Sequence, residues 1–369
     1  MELLLILLLF VVVASTALPM LKTQHWMVRL FDFPYLQFSL FSVAGFVIFS
    51  VRYPDQSNGF NLTGLIISFI SIIIRLSIVL PYTRLLKTEV KTQISAAGND
   101  EISILAANVL MKNKNTRKLS DLVKSLQPQI LILVETDQYW ADSLLTEFQD
   151  VYRYKVSIPL DNTYGMIVFS KLKLSGTEVR YLVQSDVPSI KTKVCTTSGK
   201  EFMLYAIHPK PPVPDEYPGS LPRDAELVAT GWEVIECDIP VIVAGDLNDV
   251  AWSHTTRLFM RLSGLKDPRK GRGFFNTYHA NIPMLRWPLD HMFVSEQFRV
   301  SELFRCKSID SDHYPIYMRG SFLFKNSGSD FQPDSADLEE SKEILLKADE
   351  ERDLKFSFDE FNAGQTHPE

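Results

Sequence analysis

The chain has 369 residues, enough for about two domains. Hydrophobic residues make up 46% and charged residues 22%, a balance that suits a folded protein. The net charge of -6 belongs to the tail: 13 acidic and 4 basic residues lie from Asn326 onward, which leaves the body near +3. No Lys/Arg block appears, so electrostatics alone does not demand a nucleic-acid partner. Cys195, Cys237 and Cys306 are odd in number and spaced for neither a zinc site nor a disulfide framework. They read as buried free thiols.

Three apolar stretches open the chain. Leu3 to Leu21 is almost wholly apolar, Tyr35 to Val51 carries scattered Ser, and Leu62 to Tyr82 is interrupted only by hydroxyls and Arg75. A span needs about 20 apolar residues; the first and third reach that length and the second is slightly short. Arg75 can snorkel toward the interface and does not forbid a span. Met1-Glu2 supplies no basic n-region, which argues against a cleaved signal peptide. About three transmembrane helices over residues 1–90 are expected, making a multi-pass protein of the cell membrane; the alternative is an unusually apolar soluble helical domain. With three spans, Lys22, Arg29, Arg84, Lys87 and Lys91 share one side and Arg52 takes the other. The positive-inside rule then puts the large C-terminal part of the chain in the cytoplasm.

A short polar link, Ser95 to Asp100, leads into residues 100–323, which read as one soluble α/β domain. Ile102 to Asn108 reads as a buried strand ending in a polar residue. Leu119, Leu122, Val123 and Leu126 mark one face of a helix, stopped at Gln127-Pro128. Buried strands come next at Ile130 to Val134, Gly165 to Phe169 and Phe202 to Ile207. A helix is expected around Arg223 to Glu236, and strands at Val241 to Ala244, Asp290 to Ser295 and Tyr314 to Arg319. Strands buried on both faces with helices between some of them predict layers, sheets inside and helices outside. Residues 326–369 are acidic and polar, and read as a mobile, solvated tail in which Leu345 and Leu346 can form a short helix.

Polar residues stand just past the apolar strands: Asn108, Glu135, His208 and Asp246. Such groups converge at one end of a sheet, on a rigid frame. Gly245-Asp246-Leu247-Asn248 offers a carboxylate to orient or deprotonate water and a carboxamide for a phosphate oxygen; if the strand continues, both point to one side. Ser311-Asp312-His313 joins a metal-ligand type to an imidazole. Asp290 can sit behind an imidazole and fix its tautomer. Glu135 suits Mg²⁺, which takes oxygen ligands and keeps several waters. Each has a plainer reading too: Glu135 as a helix cap, Asp290 and Asp246 as turn residues, His208 as an edge histidine.

The order of these motifs resembles the endonuclease/exonuclease/phosphatase superfamily, from about Ile102 to Phe322, with every core motif present. That resemblance implies a four-layer α/β sandwich of the deoxyribonuclease I type, preceded here by the transmembrane helices. It implies Mg²⁺ or Mn²⁺ at Glu135, with Asn108 and Asp312 close by. It makes Asp246 the residue that orients or deprotonates water, and gives the phosphate to Asn248 and to His313 oriented by Asp290. His208 becomes the general acid or leaving-group stabiliser, and Tyr164 lines the pocket. A bound cation neutralises the ester and fixed donors stabilise the transition state, so water can attack directly.

Fold does not settle the ester. The membrane helices favour a lipid or lipid-linked phosphate, and the segments Phe274 to Tyr278 and Ile282 to Pro288 are unusually apolar for loops flanking the site. The prolines of Pro209 to Pro214 predict a stiff rim after His208. A nuclease acting on DNA or RNA is the first alternative and a non-enzymatic membrane scaffold the second. Three spans and then this domain also resemble bacterial membrane phosphoesterases linked to glycopeptide resistance, thought to act outside the cytoplasm. That points to the opposite side from the charge pattern, and the side of the catalytic domain stays open. The expected partners are the phosphate-ester substrate and the lipid bilayer, with no obligate protein partner evident.

Overall fold

Apolar residues dominate the first helices: α1 (Glu2–Ala17), the single-turn α2 (Trp26–Arg29), α3 (Tyr35–Arg52) and α4 (Gly59–Val79). The computed structural model describes residues 2–93, 101–323, 331–351, 354, 356–359 and 361; the link from Ser95 to Asp100 and parts of the tail lie outside them. Three stretches, Glu2–Met20, Tyr35–Arg52 and Gly59–Tyr82, are long and apolar enough to cross a membrane. Their packing is inverted relative to a soluble bundle. Ser15, Ser42, Asn61, Ser68, Ser71 and Arg75 are buried, while Leu4, Phe10, Leu40 and Val51 face outward. Arg75 of α4 ties the bundle together. It donates to Ser15 Oγ (2.7 Å) and Thr16 Oγ1 (3.2 Å) of α1, and to Ser42 Oγ (3.1 Å) and Tyr35 O (3.2 Å) of α3.

The second part alternates strands and helices. In chain order they are β1 (Glu101–Asn108), α5 (Thr116–Leu126), β2 (Ile130–Val134), α6 (Gln138–Phe148), β3 (Tyr154–Ile158), β4 (Met166–Ser170), β5 (Lys173–Arg180), β6 (Ser189–Cys195) and β7 (Glu201–Ala206). Then come α7 (Leu221–Ile235), β8 (Val241–Asp246), α8 (His254–Ser263), β9 (Asp290–Val294), β10 (Phe298–Arg305), β11 (Ile316–Phe322) and α9 (Ser335–Glu350). They form a six-stranded sheet, β10-β11-β1-β2-β4-β3, and a five-stranded sheet, β5-β6-β7-β8-β9.

The period-two alternation of each strand sorts its side chains between two cores. Ile104, Ala106, Ile130 and Ile132 of one sheet meet Leu204, Ala206, Ile242 and Ala244 of the other. The intervening residues Leu105, Leu131 and Leu133 turn outward to Leu119, Trp140 and Leu144 of α5 and α6. On the far side Tyr205, Val243 and Phe293 pack on Leu227 of α7 and Phe259 of α8. The order helix, sheet, sheet, helix is the expected four-layer sandwich. Both sheet faces are covered, which is why the central strands read as unbroken apolar runs.

Topology decides where the polar residues go. β1 runs parallel to β2, and β7 parallel to β8, while β4, β9 and β11 run antiparallel to them. The C-terminal ends of the parallel strands therefore share one end of the molecule with the start of their antiparallel neighbours. Asp246 at the end of β8 is the register partner of Asp290 at the start of β9. Ala106, near the end of β1, pairs with Ile316 at the start of β11, just after His313.

Two expectations need correction. The tail is not wholly solvated: Ser335–Glu350 is a helix capped by Asp334, and its Ile344, Leu345 and Ala348 pack with Val228 and Ala229 of α7 and Leu258 and Leu262 of α8. Arg261 holds Asp337 at 2.9 Å, and Lys22 holds Glu340 at 2.7 Å, so the acidic face of the helix is partly neutralised by the body. The thiols are free, as expected, but only Cys306 is buried; Cys195 and Cys237 are half-buried.

Candidate active site

At the shared sheet end, four strand-terminal residues meet. Asn108 Nδ2 donates to Glu135 Oε1 at 2.7 Å and to Asp246 Oδ2 at 3.0 Å, bridging the two sheets. Glu135 does not cap the next helix; Asp137 does, accepting from Trp140 N. Glu135 has φ 60°, which ends its strand and turns the carboxylate inward, where Met111 N also donates to it. Gly245, at φ 147°, precedes Asp246, and a Cβ there would overlap Ile207 O of the neighbouring strand. That glycine lets β7 and β8 approach closely enough to bring His208 beside Asp246.

His208 Nε2 lies 3.9 Å and His313 Nε2 3.5 Å from Asp246 Oδ2. Behind His313, Nδ1 is 2.8 Å from Asp290 Oδ2, the geometry of an imidazole held by a carboxylate. Burial disfavours the imidazolium of His313, but Asp246 and Asp290 outweigh it and raise the pKa to about 10. Burial lowers the pKa of His208, partly opposed by Asp246 and Glu135. Burial pushes the Glu135 carboxyl up, while His208 and Asn108 pull it back. Asp246 is held below the ordinary carboxylate range: burial raises it, but His313, His208 and the hydrogen bonds from Asn108 and Asn248 more than offset that.

One sequence-derived position, Asn248, differs from expectation. The strand ends at Asp246, and Asn248 has φ 50°, so strand alternation does not align the two side chains. Instead Asp246 Oδ1 accepts the Asn248 main-chain N–H at 3.0 Å, and the Asn248 amide donates to Pro209 O at 2.9 Å. The one hydrogen bond of the Asp312 carboxylate among the described residues is a 3.4 Å contact from Ser311 Oγ, and burial, then Asp312 with Asp246 and Glu135, raises the pKa of Tyr278. Tyr164 is buried with its ring 5.3 Å from that of His208, and its hydroxyl bonds to Glu216.

Sequence reasoning missed the supports. Thr277 Oγ1 accepts the main-chain N–H of both Leu289 and Asp290, and Tyr278 lays its ring 4.8 Å from that of His313. Both lie in the apolar segment singled out as a loop, where composition gave a location without a role. Arg223, fully buried, donates to Asn248 O at 3.0 Å and pairs with Asp224 and Asp249. Nothing in the helical pattern of α7 marked it.

A seam joins this end of the sandwich to the apolar helices. Tyr35 and Tyr82 pack with Val250, Ala251, Trp252 and Leu289, and Phe33, Leu36, Phe274, Tyr278 and Trp287 add to them. Tyr82 donates to Ala251 O, and Trp252 Nε1 to Asp32 O, each at 2.8 Å. The residues just after Asn248 and just before Asp290 are thus seated on the helix ends.

Asp246, Asp290 and His313 each bring one possible ligand atom within 4.8 Å of the others, a spacing able to hold a metal ion. Glu135 adds a further oxygen donor, and Asn108 an amide oxygen that now accepts from Leu110 N. Among the described residues, the ion-pair partners of Asp246 and Asp290 are His208 and His313 alone, and Glu135 has none. Buried oxygen donors with so little compensating charge fit a hard divalent cation.

Comparison with known proteins agrees. Residues 105–313 match the model of the Endonuclease/Exonuclease/phosphatase family. No curated protein matches the chain. Among solved structures, D. rerio TDP2 complexed with a single-strand DNA product is 18% identical, with a TM-score of 0.50, covering 60% of this chain and 99% of that one. The human Nocturnin catalytic domain with bound sulfate is 18% identical at a TM-score of 0.49, covering 61% and 96%. Sphingomyelinase C from Streptomyces griseocarneus is 15% identical at a TM-score of 0.46, covering 60% and 99%. These likenesses concern fold alone. With the family match spanning more than half of its residues, the chain belongs to the endonuclease/exonuclease/phosphatase family of metal-dependent phosphoesterases.

Proposed function

We propose that this protein is anchored in a membrane by three helices and hydrolyses the phosphate ester of a lipid or lipid-linked molecule at the bilayer surface. The observation that carries this reading is the seam: loops that bear the site rest on the ends of apolar helices whose outward faces are Leu, Ile, Val and Phe. A polar interior with an apolar exterior suits a hydrocarbon solvent.

Glu135 would hold Mg²⁺ or Mn²⁺ together with Asn108 and Asp312. The ion supplies charge neutralisation of the phosphate and polarisation of its ester. Asp246, ionised and fixed by Asn108 and by Asn248 N, orients a water and accepts its proton. His313, kept protonated by its carboxylates, donates to a phosphate oxygen as negative charge builds. The second N–H of the Asn248 amide serves the same phosphate. His208 faces the leaving group, and Tyr164 fixes the plane of its ring.

The full-length protein in detergent micelles should release product from a panel of lipid phosphates only with Mg²⁺ or Mn²⁺, at least about 100-fold faster than Asp246→Ala. Glu135→Gln should weaken Mn²⁺ binding at least about tenfold in a calorimetric titration. Nicking of plasmid DNA without lipid turnover would replace this reading by a membrane-bound nuclease. A reporter fused after Glu369 reads the side of the bilayer: Lys22, Arg29, Arg84, Lys87 and Lys91, against Arg52 alone on the other side, favour the cytoplasm.

A further inference from the structure

A groove of about 720 Å³ opens where α3 meets the catalytic loops. One wall is α3 itself, through Leu36 and Leu40; the other is the loop after α8, through Phe274 and Met284. Leu40 and Met284 are 69% and 73% exposed, so the groove is open to whatever medium bathes the helix. Gln37 Nε2 donates to Met284 O at 2.8 Å and pins the two walls together.

The rest of the groove is cationic. Arg286 and Arg305 line it, and their guanidinium groups lie 5.3 Å and 4.3 Å from the ring centre of Tyr314, the neighbour of His313. Arg286 donates to Ala280 O at 2.7 Å and to the Tyr314 hydroxyl at 3.2 Å, and Arg305 to Asn276 O at 2.8 Å. Neither meets a carboxylate among the described residues. The backbone thus holds two positive charges without counter-charge, beside an apolar trough and close to the catalytic imidazole. Gln37 and Asn276 complete the lining, with Gln37 Oε1 and Asn276 Oδ1 buried away from it.

We propose that this groove seats one bilayer lipid bearing a phosphate, its hydrocarbon chain against Leu36, Leu40, Phe274 and Met284 and its phosphate against Arg286 and Arg305. This assignment rests on the membrane-anchored reading above and deepens it by naming how the lipid is held. Because one wall is a membrane helix, the chain reaches the groove without crossing water; the apolar wall then sets shape and orientation, and the phosphate contact supplies the preference for this lipid. The guanidinium fork matches phosphate oxygens in geometry as well as charge.

The test uses the full-length protein in phosphatidylcholine nanodiscs with phosphatidic acid carrying a diazirine in its acyl chain. Asp246→Ala protein is run beside the wild type, so that turnover does not deplete the probe. Photolysis should label peptides containing Leu36 to Leu40 and Phe274 to Met284. Unlabelled phosphatidic acid should displace the label at least tenfold better than diacylglycerol or inorganic phosphate. Leu40→Trp, which fills the trough, and the double variant R286A/R305A should each cut labelling at least tenfold. Leu40→Trp should also lower lipid hydrolysis at least tenfold relative to hydrolysis of soluble bis-p-nitrophenyl phosphate. Labelling spread evenly over α1, α3 and α4, or displaced equally by inorganic phosphate, overturns the groove as a lipid seat. Specific labelling in a protein that turns over no lipid upholds the seat and instead overturns the lipid phosphoesterase reading.

Discussion

Asp290→Asn removes one charge and little else. The carboxylate lies 2.8 Å from His313 Nδ1, and the Asp290 main-chain N–H is bound by Thr277 Oγ1. Asparagine keeps the size, the main-chain bond and an oxygen able to accept from Nδ1–H. It loses one of the two charges that hold His313 as an imidazolium, the other being Asp246. A charge-assisted hydrogen bond contributes about 1.5–3 kcal/mol. Acting in the transition state, that corresponds to a loss of about 10- to 150-fold in kcat, with KM changed less than about threefold. Stability should move the other way. Asp290 is fully buried and its carboxyl is pushed up chiefly by that burial, so a neutral amide relieves a desolvation cost and Tm should hold or rise. The assay is hydrolysis of bis-p-nitrophenyl phosphate with Mn²⁺ by the full-length variant in micelles, with Tm measured by tryptophan fluorescence. A kcat within about threefold of wild type refutes the role. So does a fall in kcat matched by a fall in Tm, which marks a merely structural residue.

Gly245→Ala should lower stability by at least about 2 kcal/mol, since its φ of 147° and the overlap with Ile207 O leave no room for a Cβ; an unchanged denaturation midpoint contradicts this. His291 is buried neutral, its pKa driven down to about 3 by burial and by Arg269. Unfolding lets it take up a proton below about pH 6.5, so its contribution is complete above that pH and is lost as pH falls toward 3. Wild-type stability should therefore decline between pH 6 and pH 4 by up to about 1.4 kcal/mol per unit more steeply than that of His291→Gln; equal slopes in a denaturant series refute it. Leu345→Ala in α9 should cost about 2–4 kcal/mol, because its side chain is fully buried against α7 and α8. A change below about 1 kcal/mol would mean that the tail is not docked in solution.

The central strands and their polar ends were legible because parallel strands covered on both faces leave unbroken apolar runs, and the residue that ends each run is forced to the same pole. Asn108, Glu135, His208 and Asp246 emerge from that pattern directly. Edge strands did not announce themselves: β5 reads Lys-Leu-Ser-Gly-Thr-Glu-Val-Arg, with most of its residues facing water. Helix α9 hid behind its acids, since the face formed by Ser341, Ile344, Leu345 and Ala348 is only one side of a charged segment. Thr277, Tyr278 and Arg223 were illegible for a different reason. Each acts through a partner 13 to 35 positions away, in contacts set by loop geometry rather than periodicity. The same holds for Asn248, whose left-handed backbone breaks the alternation used to aim it.

Arg75 has a consequence for biogenesis. Its guanidinium is satisfied by hydroxyls and a carbonyl from α1 and α3, with no acid among them. An isolated α4 would carry that charge into hydrocarbon at a cost of about 3 kcal/mol or more. The helices that supply its acceptors, α1 and α3, both precede α4 in the chain, so on a membrane-anchored reading the acceptors are made before the arginine arrives. The order of the helices in the chain is the order in which the receptor for this arginine is built.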